Sequence, residues 1–148
     1  MSITRFIAAA LLMINSATTE VQHIMVTSDI VRVAGMAARD EGYDPDADGT
    51  FLNEMRTKDG KEPYPGYASI ALYHDGHPVR FYSIRIETGD VADATNCKVF
   101  RYPDLLRFKR KILREFGSKD VTLDTIGSEL GCEKLEIVPG KGRPSKSR

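Results

Sequence analysis

The sequence has no surplus of either charge, only two cysteines and no apolar run approaching the roughly 20 residues that a membrane-crossing helix requires. Basic and acidic residues number 21 each, so bulk charge gives no reason to expect a polyanionic partner. The short catalytic signatures are missing as well: there is no G-x-S-x-G, no Gly-rich phosphate loop and no H-E-x-x-H. No internal repeat is visible. What remains is a chain of 148 residues, 41% hydrophobic and 28% charged, the composition of one globular domain or of one domain plus a removable segment. A chain of this length can bury about two-thirds of its unfolded surface.

The N-terminus has the layout of a secretory signal peptide. A single charge, Arg5, precedes the apolar stretch Phe6-Ile7-Ala8-Ala9-Ala10-Leu11-Leu12-Met13-Ile14, and the small polar residues Asn15-Ser16-Ala17 follow. A translocon needs a short helix apolar on every face with a positive leading end, and a peptidase needs small side chains before the cut. Cleavage after Ala17, or after Ser16, is expected, which makes residues 1–17 the signal peptide and the protein secreted or periplasmic. An amphipathic first helix is the alternative. The cysteine count agrees with export, because Cys97 and Cys132 can pair in an oxidising compartment. Closing a loop of about 36 residues is worth up to about 4 kcal/mol on the chain-entropy model. Two free buried thiols are the competing reading.

Apolar residues at spacings of three and four, from Val21 through Ile30, Val33 and Ala34 to Ala38, predict an amphipathic helix within residues 20–41, starting at Glu20 or at Ser28-Asp29 and stopped by Gly42. A short strand is expected over 50–55 and a loop over 56–65. The clearest pattern is Tyr67-Ala68-Ser69-Ile70-Ala71-Leu72-Tyr73-His74, the turn Asp75-Gly76, then His77-Pro78-Val79-Arg80-Phe81-Tyr82-Ser83-Ile84. A two-residue Asp-Gly loop suits the twist of a β-hairpin, since glycine accepts positive φ and aspartate nearly does. Regular pairing from that turn sets Leu72 opposite Val79 and Ile70 opposite Phe81, an apolar inner face. It sends Arg80 and Tyr82 to the other face with Ala71 and Ser69. Further strands are expected at 91–95 and 97–102. Pro103-Asp104 opens a helix with the stripe Leu105, Phe108, Ile112 and Phe116, and Gly117 ends it. A shorter helical pattern follows to Leu130, then an edge strand at 135–138. Residues 139–148 form a basic tail with nothing to pack, leaving 18–138 as the domain.

Several groups have the residue types of a site. Asp44-x-Asp46-x-Asp48-Gly49 resembles the opening of an EF-hand calcium loop, with carboxylates at positions one, three and five and glycine at six. Position twelve is Met55, so the closing bidentate acid is missing, and an acidic surface turn competes with a calcium site. His74 and His77 flank the hairpin turn as exposed neighbours, two imidazoles without a third ligand. The helix over 103–117 presents Arg107, Lys109, Arg110, Lys111 and Arg114, a face that is solvated or holds phosphates. Thr122 to Cys132 resembles the first helix and turn of a helix-turn-helix, and Lys141-Gly142-Arg143-Pro144 the core of an AT-hook. Together these define a nucleic-acid-binding alternative.

The twisted hairpin, the Thr88-Gly89-Asp90-Val91 turn and the preceding helix are similar to small PepSY-like or cystatin-like α+β domains. The fold expected is a single small α+β domain, an antiparallel sheet over 67–102 covered by the N-terminal helix and the helix at 103–117. The function expected is that of a non-enzymatic binding or accessory domain of the bacterial envelope, without a cofactor unless calcium stabilises an extracellular module. Tyr73, Arg80 and Tyr82 form its candidate contact surface, and an envelope protein or ligand is its partner.

Overall fold

The computed structural model describes Met25 and residues 27–140. The expected signal peptide at 1–17 and the Lys141–Pro144 hook motif lie outside the described residues. Helix α1 spans Thr27–Asp40 and buries Val33, Ala34, Ala37 and Ala38, a stripe of small side chains that lets the helix axis approach the sheet closely. Six strands follow in spatial order β1 to β6: β1 Thr50–Met55, β2 Tyr67–His74, β3 His77–Arg85, β4 Val91–Asp93, β5 Lys98–Arg101 and β6 Glu136–Pro139. The first five pair antiparallel, while β6 runs parallel to β5. That last pairing requires a crossover, which helices α2 Pro103–Phe116 and α3 Leu123–Leu130 supply.

The helix ends follow from local chemistry. Pro103 occupies the first turn of α2, where its missing N–H costs nothing, and Gly117 closes the helix in the left-handed conformation at φ 63°. Thr122 caps α3 by accepting the Thr125 N–H at 3.2 Å. The Asp75-Gly76 loop takes positive φ at both residues, as the sequence predicts.

One face of the sheet is sealed by α1 and α2. There Ile70, Leu72, Tyr82, Ile84, Val91 and Phe100 meet Val33, Ala37, Leu105, Phe108 and Ile112 in the main core. The smaller α3 packs on the opposite face, where Ile126 and Leu130 join Tyr67, Ala92 and Cys132. Cys97 and Cys132 are bonded across a Cα–Cα distance of 5.7 Å, tying the turn before β5 to the end of α3. The chain is a single small α+β domain, and both helices expected over its sheet are in place. None of the helices among the described residues is long and apolar enough to cross a membrane.

Candidate functional site

The hairpin register decides which side chains are available for binding. Pairing runs regularly from His74–His77 and Tyr73–Pro78, then jumps: Leu72 pairs with Arg80, Ala71 with Phe81 and Ile70 with Tyr82. Val79 is the extra residue of a β-bulge. It follows Pro78, which has no N–H to give the ladder, and bulges are among the places where a strand tolerates proline. Every side chain beyond the bulge therefore changes face relative to the regular register.

This corrects the expected contact surface. Tyr82 lies in the core, 1% exposed, with its ring edge-on to Phe100 and its hydroxyl donating to Glu41. Arg80 moves to the helix side, where its Nε stands 3.4 Å from Glu41 and its guanidinium lies over the Tyr43 ring. The predicted pairings of Leu72 with Val79 and Ile70 with Phe81 are replaced by Leu72–Arg80 and Ile70–Tyr82. Of the three residues, only Tyr73 stays on the outer face. There it stacks on Phe51 of β1, centroids 5.0 Å apart and rings within 3° of parallel.

Phe81 takes the place assigned to Tyr82. It is 37% exposed, and Phe51 is 49% exposed. Cross-strand pairing sets Phe51, Asn53 and Met55 beside Tyr73, Ala71 and Ser69, with Phe81 and Ser83 next in line. Because α3 covers only Tyr67 and the β4 end of this face, the β1–β3 part remains open. A cleft of about 220 Å³ indents it, walled by Met55, Pro63, Tyr64, Phe81 and Ala94 and lined also by Ser69 and Ser83. The Ser69 hydroxyl is buried without a hydrogen-bond partner, and so is Oε2 of the neighbouring Glu62. The other oxygen of Glu62 lies 3.1 Å from Arg56. Burial raises the Glu62 pKa, with Arg56 opposing and Glu54 adding to the rise.

Other charged groups hold the fold together. Asp90, fully buried, accepts from Thr88, from Arg101 at 2.8 Å and from Lys109 at 2.7 Å, and Lys109 reaches Asp120 at 2.7 Å as well. Lys109, read from the sequence as part of a basic outer face, is thus buried between two carboxylates. Arg107, Arg110, Lys111 and Arg114 do stay on the exposed or half-exposed side of α2. On the outer face Arg85 and Tyr67 both bond Glu129 of α3. Where α1 ends and α2 begins, Asp40 faces Asp104. Burial first, then the hydrogen bond and charge of Asp104, push Asp40 up to about 7 against the pull of Arg107.

Asp44, Asp46 and Asp48 are arranged as an acidic surface turn, one of the two readings the sequence offers. Asp46 turns to Arg39 at 2.7 Å, while Asp44 accepts the Asp46 N–H and so closes its own turn. No group of three metal-ligating side chains converges among the described residues. His74 bonds Thr50 at 2.9 Å and lies 3.3 Å from Asp75. The helix-turn-helix reading is also corrected: the segment after Gly131 forms strand β6 beside β5 instead of a recognition helix, with Ile137 and Val138 supplying its β-branched residues.

No family model matches this chain, and no curated protein does. The similarity to PepSY-like and cystatin-like domains therefore stays one of layout. Among solved structures, the chain is similar to one in a type VI secretion system effector–immunity complex from Pseudomonas protegens, with a TM-score of 0.66 and 23% sequence identity. The alignment covers 75% of this chain and 92% of that chain. Likeness at this identity is likeness of fold: both belong to the same α+β architecture.

Proposed function

We propose that this protein is a non-enzymatic immunity-type protein of the bacterial envelope, which binds a secreted effector through the open face of β1–β3. The observation that carries the binding role is the aromatic surface of Phe51, Tyr73 and Phe81, beside a cleft that no element of the fold covers. Clustered surface aromatic residues are the usual anchors of a protein interface. The class of partner is suggested by the fold shared with a chain of an effector–immunity complex. The Cys97–Cys132 bond fits an oxidising compartment, and export through residues 1–17 belongs to the same reading. Neutralising a protein by occupying its surface needs shape and contact and no catalytic group of its own. The burial of Lys109 takes the centre out of the basic helix face on which the nucleic-acid alternative relied.

The test is competition between cells of the native host. Deleting the gene is expected to leave cells that are killed by sister cells with an active type VI secretion system, and spared by sisters whose system is disabled. Wild-type protein expressed in trans restores survival. Deletion without any loss of survival contradicts the immunity role. Fractionation with intact-mass measurement checks the location: a periplasmic product lacking residues 1–17, lighter by the two hydrogens of a disulfide, is expected.

A further inference from the structure

We propose that the free edge of β1 pairs with β1 of a second copy of this chain, antiparallel and about a two-fold axis at Asn53. Self-pairing stands apart from the immunity reading, since it needs no foreign protein and uses the edge of the sheet rather than its outer face.

β1 ends the sheet on one side and pairs with β2 without a shift of register. The Asp75 N–H donates to the Gly49 carbonyl at 2.9 Å. Main-chain direction alternates along an antiparallel strand, so Phe51, Asn53 and Met55 turn their N–H and C=O groups to β2, while Leu52 and Glu54 turn theirs outward. Thr50 follows the same alternation: its N–H points away from β2 and donates to Ala47 at 3.0 Å. Among the described residues nothing bonds the main chain of Leu52 or Glu54. The usual guards of a sheet edge are missing as well. The other edge strand, β6, has four residues and ends in Pro139, whereas β1 has six residues, no proline, no lysine and no bulge. Its one charged side chain, Glu54, is held by Arg56 at 2.6 Å, so two copies do not meet as bare like charges.

The free groups select the register. With Leu52 opposite itself, the next bonds would need the Thr50 N–H, which Ala47 already holds, and the Glu54 carbonyl would stay unpaired. With Asn53 opposite itself, Leu52 exchanges both bonds with Glu54 of the second copy, and the two-fold repeats the exchange. Every outward group of these two residues is then satisfied, so a second copy carries the complement of this edge in its own sequence. The same register sets Asn53 beside its own copy in a non-hydrogen-bonded pair, where amide side chains donate and accept in turn. On either side Phe51 meets Met55 of the other copy, an aromatic–thioether contact.

Paired strands alone bury less surface than a tight dimer needs, so the association is a weak one. Sedimentation equilibrium of the oxidised protein is expected to show monomer and dimer with a Kd of about 100 µM or tighter. The Leu52 and Glu54 amides are expected to exchange freely at about 5 µM protein and about threefold or more slowly at about 500 µM. Glu54→Pro removes an outward N–H and spares the inward ladder; it is expected to weaken the dimer about tenfold or more, with far-ultraviolet dichroism unchanged. Asn53→Cys is expected to give a disulfide-linked dimer, since residues opposed in a non-hydrogen-bonded pair lie about 4.5 Å apart. Phe51→Cys, about 14 Å from its own copy in this register, is expected to give none. A chain that is monomeric at about 500 µM overturns the proposal, as does a dimer that a folded Glu54→Pro leaves intact or that cross-links equally in both cysteine variants. Leu52 and Glu54 amides already slow in the dilute monomer overturn it too, because a segment of the same chain then holds this edge.

Discussion

Tyr82 and Phe81 are neighbours in one strand and end on opposite sides of the sheet. On the helix side Tyr82 is closed in by Phe100 and bonded to Glu41, within a core that α1 and α2 seal. On the outer side α3 is only eight residues long and reaches the β4 end of the face, so Phe81 meets solvent together with Phe51 and Tyr73. The same residue class stabilises the fold on one face and is left to contact something else on the other. A single extra residue, Val79, decides which aromatic does which.

The sharpest way to break this contrast is to truncate the two neighbours in turn. Tyr82→Ala is expected to cost about 3–5 kcal/mol of unfolding free energy in urea titration, the range for emptying a large core site. Phe81→Ala is expected to cost no more than about 1 kcal/mol, as for a surface position. Equal losses would show that the bulge is misplaced.

Next in size is the bond that fastens α3 to the sheet. Replacing Cys97 and Cys132 by serine opens a link between residues 35 apart, and the loss expected is about 2–4 kcal/mol. The melting temperature of the wild type is expected to fall to that of the variant when reductant is added. A wild type indifferent to reductant would contradict a bond that supports the outer-face cluster.

Smaller effects come from the carboxylates, and their signs differ between the faces. Asp40, on the helix side, titrates at about 7 in the fold against an ordinary value of 3.8. Between those values the folded chain holds a proton that the unfolded chain releases, so its contribution is full below 3.8 and is lost as pH rises through about 7. Glu129, on the outer side, is lowered by its bonds to Arg85 and Tyr67 despite burial. Its contribution is present above the ordinary carboxylate value and is lost as pH falls. Asp40→Asn is therefore expected to reduce the drop in melting temperature between about pH 5 and about pH 8, and Glu129→Gln to reduce the drop on acidification from about pH 5 to about pH 3. Unchanged profiles would remove these groups from the account.

Much of the architecture is legible in the residues. The Asp75-Gly76 turn, the Pro103 start and Gly117 stop of α2, and the strands on either side of Thr88–Asp90 follow local rules. The register of the hairpin does not, because a two-residue turn implies regular pairing and the bulge interrupts it at Val79, one residue past Pro78. Proline inside a strand was the available signal. Lys109 also had a signal: it lies four residues after Leu105 and three before Ile112, on the buried stripe of α2 rather than its outer face. The bonds from Tyr67 and Arg85 to Glu129 join residues 62 and 44 apart and have no local signature. Where α3 would dock, and hence which part of the outer face stays open, depends on such long-range contacts.

Partner binding through the open face is tested most directly in cells. In the deletion strain competing against sister cells, complementation by a Phe51→Ser/Phe81→Ser variant is expected to fail although the protein accumulates and folds. Val31→Ser, a substitution of an apolar residue on α1 whose exposure lies between those of Phe81 and Phe51, is expected to restore survival fully. Survival restored equally by both variants would contradict the claim that the outer face of β1–β3 is where this protein meets its partner.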